Sequence, residues 1–121
     1  MPLPHVENAI PVLAVRTLAA SVAFYREFLE FTIEWGGEEG SFIGSVGRGG
    51  GSIMLREDAT PTPATVWIGV EDIVPFVKRA RTMELEFVQE PTNRPWAYEF
   101  IVRDPDGNLL WLGSDSLGEA I

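Results

Sequence analysis

The sequence predicts an α+β domain built from two βαβββ modules, and three observations lead there. Short apolar runs alternate with stretches whose apolar residues recur every three or four positions, the signatures of strands and amphipathic helices respectively. The order strand, helix, three strands occurs twice, and a Pro- and Thr-rich segment at residues 59–64 (Ala-Thr-Pro-Thr-Pro-Ala) divides the two occurrences near mid-chain. A length of 121 residues, 45% of them hydrophobic, suffices for one domain with its own core. Residues 1–121 are therefore read as a single domain, with module 1 at about 9–58 and module 2 at about 64–114.

In the first module, residues 9–15 (Ala-Ile-Pro-Val-Leu-Ala-Val) form a buried strand, with Pro11 near its start. Thr17 is the expected cap of a helix whose stripe is Leu18, Val22, Tyr25, Phe28 and Leu29. Strands at residues 31–35, 41–46 and 52–55 follow, separated by the glycine-rich turns 36–37 and 47–51. The second module opens with a strand at 65–70. Asp72 then caps a helix with the stripe Ile73, Phe76, Val77 and Ala80, where Pro75 is tolerated in the first turn. Strands at 85–89, 98–102 and 109–112 complete it, the last two joined by Asp104-Pro105-Asp106-Gly107-Asn108, a turn in which Pro presets φ and Gly or Asn accepts positive φ. One helix cannot cover four strands, so the modules must share a core, leaving a concave strand face of the kind that takes small molecules.

Nine Lys and Arg against eighteen Asp and Glu give a net charge of -9, which repels phosphate backbones and anionic lipid and attracts cations. Nucleic acid and membrane are thus not expected partners. No apolar run approaches the roughly 20 residues of a membrane span, and the first residues lack a signal-peptide pattern, so a cytoplasmic location is expected. The absence of cysteine removes disulfides, thiolate metal sites and a cysteine nucleophile.

Enzyme signatures are sparse. The sequence 47–51 lacks the Lys-Ser/Thr ending of a phosphate loop and reads as a hairpin. His5 is the only histidine, it lies near the terminus, and it completes neither a catalytic triad nor a transition-metal site. Asp104, Asp106 and Asn108 imitate the opening of a calcium loop, but Gly107 stands at the fourth position instead of the sixth. Glu99, between Tyr98 and Phe100, would be a candidate general base if buried; strand alternation instead favours an outward-pointing side chain.

The element order, the stretches Ala9-Ile-Pro-Val-Leu, Ala23-Phe24-Tyr25-Arg26 and Leu29-Glu30-Phe31, the Pro95-Trp96 pair, and the Asp-Pro-Asp-Gly-Asn turn resemble the vicinal-oxygen-chelate superfamily, and within it the bleomycin-resistance branch. Its catalytic members hold a divalent metal through His and Glu on four strands. The resemblance places those positions at Ile10, Met54, Thr65 and Trp111, none of which supplies a His or carboxylate, so neither a metal cofactor nor metal-dependent catalysis is expected. The resemblance further implies a homodimer with an exchanged N-terminal strand hinged at Pro11 and two clefts at the subunit interface. In that branch a planar drug moiety is held between a Phe and the Trp of the Pro-Trp pair, which correspond here to Phe42 and Trp96.

These residues, with Trp35, Trp67, Met54, Tyr98 and Trp111, are the expected lining of a cleft for a planar ligand, since rigid aromatics stack at low entropic cost. Glu34, with Glu38 and Glu39, would meet a cationic tail. The expected function is metal-independent sequestration of a bleomycin-type planar cationic antibiotic. A metal-dependent lyase, isomerase or dioxygenase with relocated carboxylates, and a binder of an endogenous metabolite or a protein-contact module, remain alternatives.

Overall fold

Side chains alternate across a strand, so the sheet register decides which face each residue shows. The computed structural model describes residues 2–118. It contains β1 (Val12–Val15), α1 (Leu18–Leu29), β2 (Thr32–Gly36), β3 (Ile43–Arg48), β4 (Gly51–Glu57), β5 (Thr65–Gly69), α2 (Val74–Thr82), β6 (Phe87–Asn93), β7 (Tyr98–Arg103) and β8 (Leu109–Ser114). Two four-stranded sheets run in the orders β1-β4-β3-β2 and β5-β8-β7-β6. In each, the first strand of the module lies parallel to the last and the other pairings are antiparallel. The α+β architecture of two βαβββ modules is as expected.

Several boundaries differ from the sequence reading for identifiable reasons. Residues 9–11 precede β1, which begins at Val12, although the Pro11 carbonyl still accepts the Met54 amide at 2.9 Å. Because β1 pairs with β4 of its own chain, the first sheet is complete without a second copy. Thr17 makes no side-chain cap; a carboxylate brought in from the end of β4, Glu57, accepts the Leu18 amide at 2.7 Å instead. Ile73, not Asp72, stands at the N-cap of α2; Asp72, one residue earlier, accepts the Val74 amide at 2.9 Å. β6 starts two residues late because Leu85 is still bonded to the helix end, its amide donating to the Ala80 carbonyl. That strand then continues through Pro91, which an edge strand tolerates.

Leu13, Val15, Leu55, Phe100, Val102, Leu110 and Leu112 alternate onto the helix side of their sheets and are buried there. Tyr25, Phe28 and Leu29 of α1, with Ile73 and Ala80 from the second module, join them in one cluster. The helices meet directly: the Phe28 and Phe76 rings lie edge to face at 6.5 Å, and Arg79 donates to the Glu27 carbonyl. The modules thus share a core on the helix side, and the other face of each sheet stays open. No described helix is long and apolar enough to cross a membrane.

The turn between β7 and β8 reaches across the module boundary. The Oδ1 atom of buried Asp104 accepts the amides of Asp106 and Asn108, both at 2.9 Å. Its Oδ2 accepts the Tyr25 hydroxyl of α1 at 2.7 Å and the Asn108 side-chain amide at 3.0 Å. Asn108, fully buried, also donates to the Ala14 carbonyl of β1 and accepts the Ala64 amide of the connector. Asp106 takes both the amide and the guanidinium of Arg16. A motif that reads as a local turn therefore ties β1, α1 and the connector to the second sheet.

Removing one member of a buried network leaves its partners desolvated and unpaired. Asn108→Ala should lower unfolding free energy by about 3 kcal/mol, read as a lower urea midpoint at unchanged slope. Burial, then the charge of Asp104, the hydrogen bond to it and the charge of Asp106, push the Tyr25 phenol well above its ordinary range. An unfolded tyrosine ionises near pH 10, about its model value, while folded Tyr25 stays neutral. Its stabilising contribution is therefore complete below that pH and is lost as pH rises beyond it. Thermal melts between pH 8 and about pH 11 should show a steeper alkaline loss of stability in the wild type than in Tyr25→Phe.

Candidate ligand-binding site

On the open face of the second sheet, register brings the aromatic residues of β5 and β8 together. Trp67 pairs with Trp111, and their rings stand edge to face at 5.1 Å. Gly113 is the next open-face residue along β8, and the Trp67 indole occupies the space that any Cβ at this position would need. Trp67 can hold this position beside β8 because that residue is glycine. On β7, Glu99 pairs with Gly113 and Ile101 with Trp111, so Glu99 belongs to the same face.

Glu99 does not point outward into solvent as expected from the sequence: it is 2% exposed. Its Oε1 accepts the Trp96 indole N–H at 2.7 Å and its Oε2 the Gln89 side-chain amide at 3.0 Å. Both donors are neutral, and Glu99 takes part in none of the ion pairs among the described residues. The indole it grips is 66% exposed, with the Arg94 guanidinium 5.9 Å from the ring centre.

Trp67 and Trp96 both line a crevice of about 460 Å³, together with Ala97, Gly113 and Ser114. The charged residues in its wall, Glu71 and Asp115, are both acidic. A slot with indole walls and a carboxylate rim suits a flat ligand carrying positive charge. A larger crevice of about 850 Å³ opens at the seam between the modules, where Arg48 lies with Glu71 and Asp72. Its charges are mixed and its apolar wall consists largely of core-side residues such as Phe31, Ile53 and Val66, so it lacks the directed chemistry of the slot.

The remaining expected site residues divide by module. Trp96, Trp67 and Trp111 gather on the second sheet. Tyr98 does not join them: it alternates to the core side of β7 and packs against the hydrophobic cluster, the inverse of the expected arrangement for it and Glu99. Glu34, Trp35 and Met54 sit on the first sheet. A bulge between Ile33 and Trp35 sets Glu34 where it accepts the hydroxyls of Ser45 and Ser52 at 2.9 and 3.0 Å, and Trp35 and Met54 both oppose Ser45. Phe42, 63% exposed before β3, takes no part in the crevice that Trp96 lines. Within one chain the expected Phe42 and Trp96 pair does not form, because Phe42 precedes β3 of the first sheet and Trp96 lies on the turn before β7 of the second. Glu38 and Glu39 are exposed in the loop ahead of Phe42. Gln89, Glu71, Asp115 and Gly113 were not legible as site residues, since nothing in their local sequence indicates what the register places beside them.

The metal positions also shift by register. Met54 stands beside Val12, not Ile10, and Trp111 beside Trp67, whereas Thr65 pairs with Leu109. Each displacement is two residues and keeps the same face, so the four neighbouring positions become Val12, Met54, Trp67 and Trp111. None has a donor suited to a hard or borderline divalent ion, and among the described residues no three His, Asp or Glu side chains come together. The residues present do not fit the superfamily's metal. Asp104 and Asp106 are likewise occupied by the donors of the inter-module network. His5 is exposed in the segment before β1.

A sequence model described as the Glyoxalase/Bleomycin resistance protein/Dioxygenase superfamily matches residues 3–112. No curated protein matches the chain in sequence. Among solved structures the fold is similar to TioX from Micromonospora sp. ML1, with a TM-score of 0.76 and 20% identity, covering 89% of this chain and 99% of that one. Virulence protein STM3117 from Salmonella typhimurium gives 0.72 and 22% identity over 95% and 99% of the two chains. A bleomycin resistance determinant encoded on the transposon Tn5 gives 0.68 and 20% identity over 93% and 100%. At these identities the likeness is one of fold. With a match that takes in both βαβββ modules, the chain belongs to the glyoxalase/bleomycin resistance protein/dioxygenase superfamily.

Proposed function

We propose that this chain is a binding protein for a planar, cationic small molecule, acting by reversible sequestration without a metal. The observation that carries the reading is the slot between Trp67 and Trp96, whose charged wall residues are carboxylates. A flat cation gains there from stacking on both indoles, from the negative ring faces and from the field of Glu71 and Asp115. Sequestration needs no reacting group, which agrees with a face whose former metal positions carry Val, Met and two Trp side chains.

A bleomycin-type antibiotic is the first ligand to test, because such a drug joins a flat aromatic moiety to a cationic tail. The Tn5 relative, by its name a bleomycin resistance determinant, supports that choice. A homodimer fits the same reading. The open face of the first sheet, with Trp35 half-exposed and Glu34 beside it, would supply from a second copy the wall that Phe42 does not provide within one chain.

Calorimetric titration should show saturable bleomycin binding that weakens with added salt, as exposed carboxylates are screened. Trp67→Ala and Trp96→Ala should each reduce affinity by about tenfold while the protein remains folded. Absence of heat with bleomycin and with simple planar cations would remove the assignment. Prior chelation with EDTA should leave the titration unchanged; loss of binding after chelation would favour a metal-dependent lyase, isomerase or dioxygenase instead.

A further inference from the structure

We infer that Glu99 is a positioning residue: it fixes the Trp96 indole as the second wall of the aromatic slot and thereby sets what the slot accepts. The inference rests on the slot proposed above and names the device that holds it open. Trp96 follows Pro95 on the turn between β6 and β7 and is too exposed for packing to lock its side-chain torsions. Besides the Arg94 guanidinium 5.9 Å from the ring centre, what holds it is its single polar atom, which donates to a carboxylate at 2.7 Å, a short and charge-assisted hydrogen bond.

Glu99 can serve as a fixed anchor because it is itself immobilised. Its backbone lies inside the β6-β7-β8 ladder, opposite Thr92 on one side and Gly113 on the other. Gln89 holds the second carboxylate oxygen at 3.0 Å. A carboxylate buried among neutral donors is costly to keep, and a leucine or glutamine would pack at this position with less desolvation. Its geometry gives it a use. By gripping the edge of an exposed indole, it leaves the ring free to stack while holding the ring in place before the ligand arrives. A wall ordered in advance lowers the entropic cost of binding and favours flat ligands over thick ones.

The test separates position from charge. Glu99→Gln retains an acceptor for Trp96, and a flip of the Gln89 amide satisfies the new NH₂ group. Glu99→Asp retains the charge but withdraws it by one methylene. The Trp96 indole proton, identified as the resonance missing in Trp96→Phe, reports the hydrogen bond in the absence of any ligand. In Glu99→Asp its exchange with water should become about tenfold faster, and ethidium, used as a planar cationic probe, should bind about tenfold more weakly. In Glu99→Gln both should remain close to wild type.

Unchanged exchange and affinity in Glu99→Asp would overturn the inference, as would a Glu99→Gln variant that loses both as fully as Glu99→Asp. Should Glu99→Asp fail to fold, Gln89→Met releases only the second oxygen; faster Trp96 exchange in it supports the anchor and unchanged exchange refutes it. The two readings fail separately. Ethidium binding that is lost with Trp96→Ala but indifferent to Glu99→Asp refutes the anchor alone. Exchange that responds as expected, with no planar cation bound by the wild type, refutes the ligand assignment alone.

Discussion

Four donors converge on the carboxylate of Asp104, and the arrangement of the two modules depends on that convergence. Apolar burial between the helices is strong but has no direction, so alone it would hold the modules together without fixing their relation. The Asp104 and Asn108 network supplies direction. It joins the β7–β8 turn to α1 through Tyr25, to β1 through the Ala14 carbonyl, and to the connector through the Ala64 amide. A buried network of this kind specifies one arrangement because any slip leaves a charged or amide group unpaired. The inter-module role of this turn accounts for an Asp and an Asn where many other turn residues would satisfy the backbone alone.

With the modules joined through their helix sides, the outward strand faces are left for other work. Core residues occupy one parity of each strand and the indoles of β5 and β8 the other, which is why Trp67 and Trp111 are not core residues despite their size. The face is shaped by small residues as much as by large ones: Gly113 leaves room for the Trp67 indole, and Gly47 for the Glu34 carboxylate on the first sheet. Each sheet also carries a carboxylate held by neutral side chains, Glu99 by Trp96 and Gln89, and Glu34 by two serines. The burial of Glu99 ties the position of the exposed Trp96 indole to the sheet.

Superfamily membership fixes the scaffold and leaves the chemistry to the residues placed on it. In this chain the strand positions that hold a metal in catalytic relatives carry aliphatic, thioether and indole groups, and the polar groups that remain are arranged around aromatic surface. The shift of the pairing from Ile10 to Val12 and from Thr65 to Trp67 alters which residues are neighbours but not which face they share. A displacement of two residues along a strand preserves side-chain parity, so Val12 and Trp67 lie on the same faces as Ile10 and Thr65.

The sequence by itself determined the element order, both helical stripes, the alternating strands and the hairpin at 47–51, because these depend on local periodicity and turn chemistry. It also showed the lack of cysteine and the presence of a single histidine, since composition is visible without knowing where the chain goes. It singled out Trp67 and Trp96, which line one crevice, but not the faces that Tyr98 and Glu99 take, which are decided by pairing with β6 and β8. Tertiary structure alone decided that Phe42 and Trp96 stand apart within a chain, that Gly113, Glu71 and Asp115 line a crevice with Trp67 and Trp96 while Gln89 holds Glu99, and that a turn motif clamps the two modules. These facts depend on contacts between residues distant in sequence, such as Asn108 with Ala14 and Tyr25 with Asp104, and no local pattern encodes which distant partner satisfies a buried group.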